Sequence, residues 1–222
     1  MKFPASLSRR SFVAGACASA LPLLAGAQSG YPAKPVNVVV PYAPGGTTDI
    51  VARLVAQSLA TATGKTFVVE NKGGGSTTIA TGHVIKAPAD GYTLLANEMT
   101  QTIIPALFPK LPFDPIKDLV PVTVFAEAPY VLVVNSNVPA KNLRELVALA
   151  KANPGKLNFA SGGAGSGPHI AGELLKSVAG IDMTHIAYKG SGPAVADLLG
   201  GQVEVLITAA PTLSAQMGTG RM

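Results

Sequence analysis

Residues 36–49 have the sequence VNVVVPYAPGGTTD, and residues 157–169 have the sequence LNFASGGAGSGPH. Each begins as a short apolar strand, passes through a glycine-rich turn and leads into an amphipathic helix. Such a connection brings a helix N-terminus, with its unpaired backbone N–H groups, to the end of a parallel strand. A helix N-terminus carries roughly half a positive charge and binds anions. Two such turns in one chain predict a cleft that holds a small anion from both sides.

Strands and helices alternate along the chain, which predicts βαβ units and parallel sheets in two α/β lobes. The predicted strands are 36–42, 67–70, 92–96, 120–124, 130–135, 157–161, 182–188 and 203–208. The predicted helices are 48–63, 79–86, 142–152, 168–179 and 193–199. Leu54 and Leu59 are expected on the inward face of the first helix because they share the apolar stripe of its 3.6-residue period. The prolines between residues 102 and 118 predict irregular chain there.

The first 27 residues are predicted to be a signal peptide. A basic segment with Arg9 and Arg10 precedes a short apolar stretch at 13–25 and an A-x-A cleavage site at 25–27. The segment SRRSFV at 8–13 is typical of a twin-arginine export signal, and Sec export is the alternative. The apolar stretch is too short to span a bilayer. The predicted location of the processed protein is therefore the periplasm.

Charge and cysteine content exclude several classes of function. The chain has 17 basic and 12 acidic residues, and the predicted signal peptide removes three basic ones, which leaves a net charge of +2. This charge is too small to predict binding to nucleic acid. Cys17 is the only cysteine and lies in the signal peptide, so disulfides and a thiol nucleophile are excluded. His83, His169 and His185 lack the spacing of a metal site, and we expect neither metal nor cofactor.

The glycine turn at 45–49 has two interpretations. In the functional one, the amides of Gly45 and Gly46 approach a ligand carboxylate. Asp49 would be repelled by that carboxylate, so it would act through water or on an amino or hydroxyl group of the ligand. In the structural alternative, the segment is a tight turn and Asp49 forms an ion pair with Arg53 at i,i+4 spacing.

Residues 161–169 are the stronger candidate for a binding loop, because five of the nine are glycine or proline. So many small and rigid residues indicate a close approach of backbone to a ligand. Ser161 and Ser166 add hydroxyls, and His169 would be a neutral donor or a packing residue because the helix dipole disfavours its charged form. Arginines are scarce after the signal peptide, so backbone amides and hydroxyls would have to hold the anion.

Two further interpretations remain open. The segment YKGSG at 188–192 places Lys189 either at the rim of the cleft or in a solvated turn. A hydrolase that uses Ser161 or Ser166 with a histidine is the alternative from another functional class. Such an enzyme needs a base within hydrogen-bond reach and an orienting carboxylate. His169 follows Ser166 too closely in sequence for such a triad, so we expect no catalysis.

After the signal peptide the chain resembles, nearly end to end, the extracytoplasmic receptors of the tripartite tricarboxylate transporters, also called Bug receptors. The segments that carry the resemblance occur in the family's order: YPAKPV (31–36), PGG (44–46) with Asp49, VENK (69–72), ADGYTLL (89–95), LPFDP (111–115), AKANPGKL (150–157), YKG (188–190) and GGQV (200–203). The family continues well beyond Met222. We therefore expect the second lobe to be incomplete, and a protein that ends at Met222 to bind its ligand poorly.

The resemblance implies a two-lobed periplasmic binding protein of the Venus-flytrap, type II-like class with parallel-rich sheets. Lobe one would span 28–128 and lobe two 129–222. The implied function is capture of a small carboxylate by a monomer that needs no cofactor, for delivery to the membrane subunits of a transporter or to a sensor protein. The ligand-binding residues implied by position are Ala43, Gly45, Gly46, Asp49, Ser76 and Thr100 in lobe one, and Ser161, Gly162, Gly165, Ser166 and His169 in lobe two.

Overall fold

The structure, a computed structural model, describes residues 30–222. The predicted signal peptide at 1–27 lies outside the described residues. Residues 35–222 form one unit that contains all the elements below. The strands are β1 (Val36–Val40), β2 (Phe67–Asn71), β3 (Thr93–Leu95), β4 (Tyr130–Val134), β5 (Asn158–Ser161), β6 (Thr184–Ala187) and β7 (Val205–Ala209). The helices are α1 (Thr47–Thr63), α2 (Thr78–Ile85), α3 (Thr100–Leu107), α4 (Leu143–Ala152), α5 (Gly167–Ala179) and α6 (Ser191–Leu199), with short 3₁₀ turns at Gly75–Thr77 and Ala210–Leu213.

The strands form two sheets that alternate with helices along the chain, which confirms the predicted α/β class. The first has the order β2-β1-β3 and is parallel throughout. The second has the order β4-β7-β5-β6, in which β4 alone runs antiparallel to its neighbour β7. An antiparallel strand at the edge of a mostly parallel sheet is common in α/β proteins. The lobe boundaries at 28–128 and 129–222 remain predictions.

The valine run of β1 forms the centre of the first sheet. Val36, Val39 and Val40 are fully buried, as expected for a parallel strand that is covered on both faces. Their burial removes apolar surface from water and contributes about 1.5–3 kcal/mol for each side chain. Because β1 lies between β2 and β3, its carboxyl end and the turn that follows are held in the middle of the sheet edge.

Helix α1 packs through its smallest side chains. It begins at Thr47 and ends at Gly64, whose left-handed φ of 66° closes the last turn. Ala52 and Ala56 are buried against the sheet, whereas Leu54 is 57 % exposed and Leu59 is 38 % exposed. The expectation that the two leucines face inward was therefore wrong. A face of alanines lets the helix axis approach the sheet closely.

Helix α5 also approaches its sheet closely. A Cβ atom on Gly172 would collide with the ring of Phe159, which is fully buried on β5. Glycine at this position lets the helix lie directly on that ring. The predicted start of this helix near Pro168 is confirmed, since proline occupies one of its first two positions.

Two predictions for residues 100–124 were wrong. Residues 100–107 form α3 despite the proline inside it, because Ile104 is fully buried and Gln101 donates a hydrogen bond to the backbone of Pro115. The predicted strand at 120–124 is absent from the described residues, and its valines are 78–88 % exposed. Alternating valines favour a strand only where a second strand pairs with them. No described helix is both long enough and apolar enough to cross a membrane.

Candidate functional site

A buried carboxylate holds the turn between β1 and α1. Asp49 is 4 % exposed. Its Oδ2 accepts the backbone N–H of Gly45 at 3.0 Å, and its Oδ1 accepts Arg53 Nε at 3.0 Å and Asn71 Nδ2 at 2.9 Å. Burial alone would raise the pKa of Asp49, but these hydrogen bonds and the charge of Arg53 lower it below the usual value. Asp49 therefore fixes the turn and has protein donors on both oxygens.

The backbone N–H groups of Gly45 and Gly46 therefore face different surroundings. The N–H of Gly45 points at Asp49 and not at the open side of the loop. The backbone N–H groups of residues 46–48 donate to no acceptor within the described part of the chain. These are the first amides of α1, so the positive end of the helix is available at Gly46 and the two threonines that follow.

The loop 161–169 is held by its own polar groups. Ser166 caps α5, because its Oγ accepts the backbone N–H of His169 at 3.3 Å and donates to the carbonyl of Gly163 at 2.7 Å. Gly165 N–H donates to His169 Nδ1 at 3.0 Å. Ser161 is fully buried and donates to the same Gly163 carbonyl at 3.1 Å. These bonds pre-organise the loop, and they occupy the hydroxyls of Ser161 and Ser166 and the Nδ1 atom of His169.

A third helix N-terminus, which we did not predict as part of the site, lies beside these two loops. Helix α6 begins at Ser191, and a Cβ atom on Gly46 would lie 3.4 Å from the Ser191 nitrogen. A Cβ atom on Gly162 would lie 3.1 Å from Ser191 Oγ. The sequence GSGP occurs at 165–168 and again at 190–193, in each case at the start of a helix. That repetition would have identified the N-terminus of α6 as part of the site.

The three helix N-termini surround one small cavity of about 30 Å³, room for about one water molecule. The residues that line it are Tyr42, Gly46, Thr47, Thr48, Glu98, Tyr130, Gly162, Ser166, Pro168, Ser191 and Ala209. Within 30–222 no lysine or arginine lines it. The loops that enclose it touch directly: Ala43 N–H donates to the backbone oxygen of Lys189 at 2.7 Å, and Thr47 Oγ1 lies 2.5 Å from Thr212 Oγ1. These contacts join the loops on either side of the cavity.

Glu98 is the charged residue of this lining. Its Oε1 accepts the hydroxyl of Tyr42 at 2.7 Å and that of Thr100 at 3.2 Å. Burial and the Glu98 carboxylate raise the pKa of Tyr42 well above its ordinary value and that of Tyr130 to about 12. Both phenols therefore stay protonated at neutral pH, and the Tyr42 hydroxyl donates to Glu98.

The structure brings together part of the predicted ligand-binding set. Gly46, Gly162 and Ser166 line the cavity. The other members lie behind the lining or adjacent to it: Ala43, Gly45, Asp49, Thr100, Ser161, Gly165 and His169. Ser76 is not in the lining; it lies in the 3₁₀ turn at 75–77 with a left-handed φ of 49°. Contact between these residues and a ligand remains a prediction.

Two stacked imidazoles lie beneath the loop 161–169. The rings of His169 and His185 are 4.0 Å apart, and Ser161 Oγ lies 2.7 Å from His185 Nε2. Burial first, and then the neighbouring His169, lower the pKa of His185 to about 4; Glu173 raises it by a smaller amount and Lys176 lowers it further. The pKa of His169 is also lowered, chiefly by burial. Both imidazoles are therefore neutral at neutral pH.

We expect His185 to make stability depend on pH. An unfolded histidine titrates near pH 6.5. Because the folded pKa is lower, the unfolded state binds more protons between pH 6.5 and 4, and stability falls as the pH drops through this range. The loss should be about 1–2 kcal/mol after allowance for partial exposure of the ring. Urea unfolding at pH 7 and pH 4.5 measures it.

His185→Gln keeps an amide donor for Ser161 and removes the titration, so the variant should lose less stability on acidification than the wild-type protein. The matched control is His83→Gln, because His83 is an exposed histidine of α2. It should keep the wild-type dependence on pH. An unchanged dependence in His185→Gln would contradict the assignment.

The family model for the tripartite tricarboxylate transporter family receptor, TctC, matches residues 51–222. The chain belongs to this receptor family. Protein BugT of Bordetella pertussis is 39 % identical over 194 residues, which cover 86 % of this chain and 60 % of BugT. This family member spans 53–61 % of the length of six curated relatives that it matches.

Solved structures of related proteins have the same fold. MatC from Rhodopseudomonas palustris with bound malate superposes with a TM-score of 0.78 at 34 % identity, covering 86 % of this chain and 65 % of MatC. Another R. palustris protein, solved with adipate, superposes with a TM-score of 0.80 at 34 % identity, covering 86 % of this chain and 64 % of that one. The fold of this family member is thus that of a periplasmic binding protein.

Proposed function

We propose that the chain forms the ligand-binding part of a periplasmic solute receptor that captures a small carboxylate. The observation that carries this proposal is the convergence of three helix N-termini, those of α1, α5 and α6, on one cavity without a lysine or arginine in its lining within the described range. The first amides of α1 are unpaired, and each of the three N-termini carries roughly half a positive charge. Together they favour a small anion over a neutral ligand.

The hydroxyls around the cavity support a carboxylate as that anion. Thr47 and Thr48 from α1 and Ser191 from α6 can donate hydrogen bonds to the oxygens of a carboxylate. Such a site recognises the carboxylate by main-chain and hydroxyl groups and imposes little on the rest of the ligand. Malate and adipate, the ligands of the two R. palustris proteins, are both small carboxylates.

Family membership supports the cellular role. The receptor family serves tripartite tricarboxylate transporters, so the proposed partners are the membrane subunits of such a transporter, with a sensor protein as the alternative. The proposed location is the periplasm, since the related solved structures are periplasmic binding proteins and the sequence predicts a cleaved export signal at 1–27. The receptor would act without catalysis and without a cofactor.

A serine hydrolase is the alternative that the contact between Ser161 and His185 would favour. The contact is 2.7 Å long, within the range of a nucleophile and its base. However, Ser161 is fully buried, and its hydroxyl donates to the Gly163 carbonyl. No carboxylate in the described residues hydrogen-bonds to His185. The pair therefore supports the loop better than it supports catalysis.

A thermal-shift screen of small mono-, di- and tricarboxylates with the purified protein tests the proposal. Specific binding raises the melting temperature by mass action, and a ligand at about 100 times its Kd stabilises the protein by about 2.7 kcal/mol. Ester substrates are included to test for hydrolysis. If no carboxylate shifts the transition while an ester is turned over, the receptor proposal is wrong.

A further inference from the structure

We infer that Glu98 selects the ligand: the site prefers a small carboxylate that also carries an ammonium group over a dicarboxylate of the same length. This inference rests on the proposed function and adds the chemical class of the ligand. It depends on a feature of the cavity that is not expected in a site that binds only an anion. An acidic side chain lines the same cavity as the three helix N-termini.

The position of Glu98 is fixed by groups of the protein. Tyr42 and Thr100 hold its Oε1, and both are buried. The Tyr42 hydroxyl also lies 2.9 Å from Thr100 Oγ1, so the three side chains form one network. If Glu98 turned out of the cavity, Tyr42 could still donate to Thr100, but the buried Thr100 hydroxyl would lose its acceptor, which is costly.

Glu98 keeps unused capacity to accept hydrogen bonds. A carboxylate has about four lone-pair sites, and Tyr42, Thr100 and Tyr130 can supply at most three donors. No basic side chain of the described residues lines the cavity to neutralise it. An ammonium group of the ligand would supply a further donor and a full positive charge.

The same charge acts against a dicarboxylate. One carboxylate of the ligand would be held at the N-termini of α1, α5 and α6. A second carboxylate directed at Glu98 would meet a like charge at close range. Replacing that second carboxylate by an ammonium group changes repulsion into attraction.

Isothermal titration with matched pairs of ligands tests the inference. Succinate is compared with β-alanine, and glutarate with 4-aminobutyrate, since each pair differs by exchange of one carboxylate for an ammonium group. The wild-type protein should bind the amino member of each pair at least tenfold more tightly. In Glu98→Gln this ratio should fall to threefold or less. The matched control is Glu127→Gln, which changes an exposed glutamate outside the lining and should keep the wild-type ratio.

The outcomes separate this inference from the proposed function. If the dicarboxylates bind as tightly as their amino partners or more tightly, the role of Glu98 is wrong while the receptor proposal stands. If neither member of any pair binds and no other carboxylate does, both fail. The ratio of the two affinities in the wild-type protein tests the preference for the amino ligand even if Glu98→Gln fails to fold.

Discussion

Replacing Gly192 by alanine should weaken ligand binding by about 30-fold. A Cβ atom at this position would collide with the carbonyl oxygen of Pro44 and lie 3.3 Å from the backbone carbon of Gly45. Both neighbours are backbone atoms, so neither can move aside as a side chain would. The loops 43–46 and 189–192 must then separate, at a cost of about 1–3 kcal/mol for overpacking. If the ligand binds only when these two loops are in contact, its affinity falls tenfold for about each 1.4 kcal/mol that the added methyl group costs.

Isothermal titration with the carboxylate that gives the largest thermal shift measures this effect. Gly200→Ala is the matched control, because it adds the same methyl group at the other end of α6, where its nearest neighbour lies 3.4 Å away. This variant should bind like the wild-type protein. Wild-type affinity in Gly192→Ala would show that the two loops need not meet when the ligand is bound.

Local sequence patterns predicted most of the helices and strands, because characteristic residues occur where these elements begin and end. Gly64 stops α1 in a left-handed conformation, and Ser166 with Pro168 starts α5. The turns at 45–46 and 162–166 were recognised for the same reason, since glycine density is visible in the sequence. These features depend on neighbours within a few residues, which is the range in which sequence reasoning is reliable.

Contacts between distant parts of the chain were not predictable in this way. Tyr42 and Glu98 meet across 56 positions, so no local pattern could place Glu98 in the cavity. Buried Ile104 keeps α3 helical against the expectation from its proline. Ser191 was the exception, because the repeated GSGP at 190–193 was visible and its meaning was missed. Long-range packing decides such features, and one sequence does not encode it as a local pattern.

Replacing Asp49 by alanine should destabilise the protein by about 2–3 kcal/mol, measured by urea unfolding at pH 7. Breaking a buried ion pair costs about 3–5 kcal/mol where the partner charge is left buried. The Arg53 side chain is 51 % exposed and can be solvated by water, so the lower range applies. As a control, Lys117→Ala breaks a surface ion pair with Asp114 and should change stability by less than about 0.5 kcal/mol.

The effect of Asp49→Ala on ligand affinity separates two physical roles. If the charge of Asp49 mattered most, its removal from the first turn of α1 would strengthen the binding of an anion. We expect the opposite, a loss of about tenfold, because Arg53 already offsets that charge and the Gly45 N–H loses the acceptor that holds the turn. Asp49→Asn should lie between the wild-type protein and Asp49→Ala, since its amide oxygen replaces only one of the two acceptors. Tighter carboxylate binding in both variants would mean that electrostatic repulsion by Asp49 outweighs its part in holding the loop.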